Sequence, residues 1–385
     1  MTKKKRKIAV LTGKRGGFGA LITLMEAIQE DPDMELHLIV TDMHLSNFFG
    51  KTINEVKKKF PKHYKIYLNQ KDGSKKERSL ALSRCAEGMS KILSKIKPDI
   101  LVLLGDRGEV LSSAMVATEL GIPIAHILGG DVVGNKDGSR IHAITKLSHL
   151  HFPSNKEAYN RIIELGEERW RVFSFGSTYI DILLEYKFYK DKENLQIREK
   201  YNIGLKEKYY ICIQHPMTFK EGQSYKEMVS LLRVLRDLKI KTLIIYPCSD
   251  PGYEGIINAI NKFSHIPYFQ IYKNIEALDF WKLMSGCSLF IGNSSSGLME
   301  TPYFGVPSVN IGQRQDGRVR DNNVINTNAD EKDILKAINI ATSKNFKKSI
   351  KNHFLFGRGG AGLKIKEVLK NIEIGDKLIM KKITY

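Results

Sequence analysis

Short β-branched apolar runs alternate along the whole chain with longer stretches in which apolar positions recur every three or four residues. In the first half the runs are KIAVLTG (7–13), ELHLIVT (35–41), YKIYL (64–68), DILVLLG (99–105), IPIAHIL (122–128), LHFPS (150–154) and VFSFG (172–176), each predicted to be a strand. The amphipathic stretches between them predict helices, so the series is βαβ and its sheet parallel, with helices on both faces. A second series follows the charged stretch EYKFYKDKENLQIREKYNIGLKEK: YYICIQ (209–214), KTLIIYP (241–247), YFQIY (268–272), LFIGN (289–293) and PSVNI (307–311). Two doubly wound α/β domains result, 1–178 and 190–362, with the boundary near residues 177 to 192. A chain of 385 residues also exceeds what a single core usually holds.

In open α/β sheets ligands sit beyond the carboxyl ends of the strands, and the loops there hold nearly every unusual residue. TGKRGGFGAL follows the first strand. Gly13, Gly16, Gly17 and Gly19 let backbone approach a ligand, and Arg15 offers a fork suited to phosphate oxygens; close packing of a βα turn would also ask for glycine. No Lys-Ser or Lys-Thr follows, so it is not a Walker loop. DILVLLG runs into DRGE, setting Asp106 and Arg107 at the next edge, with Glu109 divided between the site and the start of a helix. IPIAHILGG delivers Asp131, and a glycine-rich loop then brings Asp137 ahead of a helix beginning near Ile141. Asp106, Asp131 and Asp137 are therefore expected to converge. Carboxylates sharing one cleft cannot all ionise, which yields an acid and a base side by side.

His126 lies inside a strand and reads as a core histidine, whereas His142 reads equally as helix-start structure or ligand contact. His149 and His151 do not form a metal set with the aspartates, because no ligand group shares one helix face. YYICIQHPMT sets His215 at a strand end, where it can bind phosphate or stabilise a leaving group. LFIGN opens into NSSSGLME, where Ser294, Ser295, Ser296 and Gly297 begin a helix and make an anion site. Glu300, one to two turns further on, is placed to accept hydrogen bonds from ribose hydroxyls, and Arg314 adds positive charge at the next strand's end. Asp250, in the turn SDPG, is a weaker candidate. GRGGAG (357–362) matches a dinucleotide fingerprint but lacks the strand before it and the acid after it, so it reads as a loop.

Composition narrows the class. Hydrophobic residues make up 42% and charged residues 27%, as in soluble globular proteins, and no apolar run approaches a membrane span. The start MTKKKRKIAVLTG has no cleavage site, so no targeting segment is read and a cytoplasmic location is expected. Cys85, Cys212, Cys248 and Cys287 are widely separated and read as reduced, buried thiols. The net charge of +19 invites a nucleic-acid partner, but the lysines are scattered over helices without interleaved aromatics, so neither nucleic acid nor membrane is expected.

With TGKRGGFG, GDRGE, HILGGDVVGNKDGSRIHAITKLSHLHF, QHPMT and IGNSSSGLMETPYFGVPSVNIGQRQDGR in one order, the chain resembles the hydrolysing UDP-N-acetylglucosamine 2-epimerases over nearly its full length. The resemblance implies a GT-B arrangement: two Rossmann-like domains with the active site in the cleft between them, and a C-terminal segment, 363–385, packing back on the first. It implies conversion of UDP-GlcNAc and water to ManNAc and UDP for sialic-acid-type synthesis, by elimination to a glycal and hydration, with no metal or redox cofactor and as a homodimer. Relatives use UDP-diacetylbacillosamine or GDP-GlcNAc on the legionaminic acid route. By the same resemblance Asp106, Asp131 and Asp137 match the family's carboxylates, Arg15 and His215 its diphosphate side, and Ser294, Ser295, Glu300 and Arg314 its nucleotide contacts. The basic field would steer such a dianionic substrate.

Two departures fall in the sugar-side loops. GGF lacks the usual acid at Gly17, and DGSRIH lacks one at Gly138 and has Ile141 where arginine is expected. They leave the sugar open, and they make a catalytically silent nucleotide-sugar binding protein a competing reading. A glycosyltransferase of the same architecture would not need three clustered acids. GGDVVGNKDG argues against the non-hydrolysing branch.

Overall fold

The computed structural model describes residues 5–50, 52–132, 137–185, 195–217 and 222–385, without the side chains of Asp137 and Glu185. Six strands form the first sheet: β1 (Arg6–Thr12), β2 (Met34–Thr41), β3 (Tyr64–Ile66), β4 (Ile100–Leu104), β5 (Ile124–Ile127) and β6 (Leu150–Phe152), in the order β3-β2-β1-β4-β5-β6. The second holds β7 (Tyr209–Ile213), β8 (Lys241–Ile245), β9 (Phe269–Tyr272), β10 (Leu289–Gly292), β11 (Ser308–Ile311) and β12 (Val324–Thr327), in the order β12-β11-β10-β7-β8-β9. Every ladder is parallel, Val10 facing Val102 in one sheet and Ile291 facing Cys212 in the other. Central strands such as β4 and β7 are buried throughout, which explains their continuous apolar runs.

Each sheet reverses its strand order once, between β1 and β4 and between β7 and β10. At such a switch point neighbouring βα loops leave in opposite directions and open a crevice. The sequences emptying into the two crevices are Gly13–Arg15 and Gly105–Arg107 from one domain, and Gln214–Pro216 and Asn293–Ser296 from the other.

Three expectations are corrected. VFSFG forms no strand, only a single bridge between Val172 and His151. Its aromatic rings turn inward instead, Phe173 and Phe175 stacking on Phe152 at 5.6 and 6.2 Å, and Gly176 then turns with φ +89. Val324–Thr327 is an edge strand that its short, mostly polar VINT pattern did not announce. The helix of the middle block spans Asp137–Leu147, beginning four residues before the expected start.

The helix Ala361–Asn371 packs against the helix Arg15–Glu30 of the first domain. Lys366 and Lys370 bind Asp31, and further on Arg171 donates to the carbonyls of Lys377, Leu378 and Met380. GRGGAG is the approach to this helix. The amide of Ala361 donates to Asp181 at 2.9 Å and that of Gly362 to the same carboxylate, so the anion at this helix start is the protein's own. All four cysteines are free and buried. Among the described residues no helix is long and apolar enough to cross a membrane.

Candidate active site

A cleft opens between the two sheets. Lys14 and the first helical residues after it, Arg15 and Gly16, line it from the first domain, and His215, Ser294, Ser295, Ser296, Glu300 and Arg314 from the second. These sequence-predicted residues therefore meet.

His215 is fixed by its neighbours. Its backbone amide donates to Asn293 Oδ1 at 2.6 Å, and Asn293 Nδ2 returns a bond to the His215 carbonyl, locking the ends of β7 and β10 together. The amide of Cys248 donates to His215 Nδ1 at 3.1 Å. Nδ1 is thus an acceptor, and the ring proton sits on Nε2. Burial, with Arg314 adding to it, holds the imidazole well below its ordinary 6.5. His215 can therefore donate one hydrogen bond to a phosphate oxygen but does not serve as a cation. Nitrogen NMR of the labelled imidazole is expected to show a neutral ring protonated on Nε2 throughout about pH 5 to 8; a titration midpoint near 6.5 would contradict this geometry.

Glu300 is buried against Trp281, whose Nε1 donates to Oε2 at 2.6 Å, while Ser296 Oγ donates to Oε1 at 3.0 Å. The expected continuous helix is broken here into Ser296–Met299 and Thr301–Phe304, with Glu300 between them. Pro302 explains the break, since it lacks an amide proton and crowds the residue before it. Burial pushes the Glu300 carboxyl up from 4.5 to about 7. The native state then keeps a proton that the unfolded chain releases, so stability falls as pH rises from about 4.5 to about 7 and is level above. Glu300→Gln is expected to abolish that decline, a difference of at most about 3 kcal/mol in denaturant unfolding; parallel pH profiles for the two proteins would rule it out.

Arg15 does line the cleft, but Nη1 is engaged with the opposite domain, donating to Asn274 Oδ1 at 2.7 Å and the Ile275 carbonyl at 2.9 Å. Its guanidinium carbon lies 5.5 Å from the ring centre of Phe280, which also lines the cleft. The glycines divide between the two readings. Gly16 lines the cleft, whereas a Cβ on Gly13 would meet Glu109 at 2.7 Å and one on Gly19 would meet Trp281 at 2.9 Å. Gly297 meets a packing need as well: a Cβ there would lie 2.6 Å from Ser308 Oγ.

The carboxylates stand beside this cleft rather than in its lining. Asp131 is buried, accepting from Asn155 Nδ2 at 3.1 Å and more distantly from Ser154 Oγ at 3.4 Å, and Arg318 of the second domain reaches it at 3.7 Å. Burial raises its pKa, Arg318 and Asn155 oppose that, and the negative charge of Asp106 adds to it. Asp106 and Asp131 thus lie within electrostatic reach of each other. Asp137 begins its helix, but its side chain is outside the described residues. His142 lies on the second turn of that helix, its Nδ1 buried without a partner among the described residues and its pKa lowered by burial.

Arg107 has a structural setting instead. Its guanidinium contacts Glu109 at 2.7 Å, Asp42 at 2.8 Å, Ser249 Oγ at 2.7 Å and Asp250 at 3.2 Å, with Arg78 joining from the far side of Asp42 and Glu109. Burial disfavours the Arg107 cation, but Glu109, Asp250 and Asp42 outweigh it and raise its pKa. Glu109 is held down to about 2 by Arg107 and Arg78 against its own burial. The cluster ties the first domain to the turn SDPG of the second. Nothing in the spacing of Asp42 and Arg78 marks them for it; the two-residue spacing of Arg107 and Glu109 is the only local signal.

The sequence matches the family described as UDP-N-acetylglucosamine 2-epimerase over residues 26–370. It is 34% identical over 351 residues to a GDP/UDP-N,N'-diacetylbacillosamine 2-epimerase (hydrolyzing) of Campylobacter jejuni, covering 90% of each chain. To a UDP-N-acetylglucosamine 2-epimerase of Neisseria meningitidis it is 32% identical over 338 residues, 88% of each chain. Among solved structures, a Neisseria meningitidis UDP-GlcNAc 2-epimerase bound to UDP-GlcNAc superposes with a TM-score of 0.79 at 18% identity, over 94% of this chain and 99% of that one.

Proposed function

The chain belongs to the UDP-N-acetylglucosamine 2-epimerase family, on its hydrolysing branch, and from that premise we propose that it converts UDP-GlcNAc and water to ManNAc and UDP. The observation that carries this reading is the pairing of two unlike half-sites. A neutral histidine donor, a serine run and Arg314 line the cleft from one domain, and the buried Asp131 with Asp106 stands on the other. The C2 hydrogen of a sugar is not acidic, so its removal must be coupled to departure of the diphosphate from C1. One carboxylate takes the C2 proton, the electron pair forms the C1–C2 double bond, and the C1–O bond breaks toward UDP. His215 and Arg314 stabilise the charge that grows on the departing phosphate. Water then adds its hydroxyl to C1, and a carboxylic acid protonates C2 from the opposite face, giving ManNAc.

Two relatives are named for diacetylbacillosamine, and the altered loops at Gly17 and Gly138 flank the sugar side, so UDP-diacetylbacillosamine and GDP-GlcNAc are the competing substrates of the same chemistry. Assaying nucleotide release from all three in parallel decides between them. UDP from UDP-GlcNAc is the expected result; release from another alone would move the substrate while keeping the reaction, and release from none would end the reading. We further propose the homodimer that the family resemblance implies, with Leu80 and Met115 exposed on the helices Lys75–Ile96 and Gly108–Glu119 and Leu120 exposed just beyond the second as apolar positions a partner could cover; a solution mass equal to one chain of 43.8 kDa would exclude it.

A further inference from the structure

The first turn of the helix Arg15–Glu30 carries two adjacent glycines, Gly16 and Gly17. A Cβ on Gly16 would find one atom within 4 Å, the hydroxyl oxygen of Tyr179 at 3.9 Å. Tyr179 arrives from a distant part of the chain, on the first turn of the helix Thr178–Glu185, and shares the cleft lining with Arg15, Ser296 and Glu300. Its position is set by backbone on both sides of a chain crossing. Gly176 presses against Gly357, the Ser177 amide donates to the Phe356 carbonyl at 2.8 Å, and Ser177 Oγ accepts from the Tyr179 amide at 3.3 Å.

The phenol is not needed for packing alone. A ring at 179 would pack equally well as phenylalanine, and a half-buried tyrosine hydroxyl normally finds a partner. Among the described residues this hydroxyl has none. Glu300, which shares the cleft lining, and Asp106 and Arg318, from the carboxylate side, all lie within electrostatic reach of it. Burial pushes it well above its ordinary 10.0, so at neutral pH it is a protonated donor. A donor held between two half-sites, over a helix turn that has only Gly16 beneath it, is suited to an acceptor at the join of their two ligands.

We propose that the Tyr179 hydroxyl donates a hydrogen bond to an oxygen at the sugar end of the bound nucleotide sugar, and so is a substrate-contact residue that distinguishes the nucleotide sugar from the free nucleotide. The inference rests on the nucleotide-sugar reading above. It gives Gly16 a physical meaning: with no side chain there, the Tyr179 hydroxyl is the neighbouring polar group on this part of the cleft wall.

Tyr179→Phe removes only the hydroxyl. Dissociation constants of the full-length wild type and variant for UDP and for UDP-GlcNAc are compared by calorimetry under single-binding conditions, with turnover measured alongside. The expected result is a loss of about 10- to 100-fold in affinity or kcat/KM for UDP-GlcNAc, with UDP affinity changed less than about twofold and the melting temperature unchanged. Equal weakening of both ligands, or no change in either, would overturn the proposal. If the wild type binds UDP-GlcNAc but does not turn it over, the epimerase reading fails while the ratio of the two dissociation constants still decides the role of Tyr179. If UDP-GlcNAc binds no differently from UDP in the wild type, Tyr179 makes no sugar-end contact and the proposal fails with it.

Discussion

Asp131→Asn is expected to lower turnover by about 100- to 10,000-fold, the range for loss of a general acid or base, while UDP affinity changes less than about threefold. Asparagine keeps the volume and one acceptor oxygen, so the bond from Asn155 Nδ2 at 3.1 Å can persist and the fold has no reason to change. What is lost is the ability to exchange a proton and the charge facing Arg318 at 3.7 Å. On the reading proposed above, UDP is held by His215, the serine run and Arg314 of the opposite domain, a set separate from Asn155, Ser154 and Arg318, the residues Asp131 contacts. Turnover within tenfold of wild type would remove Asp131 from the acid-base set, and a parallel collapse of UDP binding would make its role structural.

Arg107→Ala carries the largest expected cost in stability. The guanidinium is the common partner of Asp42, Glu109 and Asp250, all of them buried, and Arg78 reaches only the first two directly. Removing it leaves buried negative charge that Arg78 meets only in part, and stripping one partner from a buried ion pair typically costs about 3 to 5 kcal/mol. Denaturant unfolding should show a loss of that size. Adding Asp250→Asn to Arg107→Ala should return part of it, because the stranded charge of the second domain is then gone. A loss below about 1 kcal/mol would mean that water or another cation supports these acids. Arg107→Lys is not a rescue, since an ammonium cannot reach four acceptors in one plane.

The reading of the sequence went furthest where a residue's role is decided by its own element. Alternating apolar runs mark β1 to β11 because a strand buried on both faces has almost no polar positions. The rule that ligands gather at the carboxyl ends of strands then leads directly to Arg15, His215, Ser294–Ser296 and Arg314, which do share one cleft. It fails where the partner lies far away in sequence. Arg107 meets Asp250 across 143 positions, and Asp42 meets Ser249 across 207, so neither the cluster nor the use of Arg107 within it has a local signature. Tyr179 and Arg318 are similar: each is an ordinary helix or loop residue until the second domain is laid against the first. VFSFG shows the opposite error, a strand pattern whose rings were taken up by stacking on Phe152.

The central claim is that elimination of the nucleotide and loss of the C2 proton are one event, followed by hydration from the other face. Proton NMR of the purified protein with UDP-GlcNAc in deuterated water tests it most directly. The account predicts free UDP appearing together with ManNAc that carries deuterium at C2. Free UDP with GlcNAc that retains its C2 hydrogen would contradict it, showing simple hydrolysis at C1 with no use for the buried carboxylates.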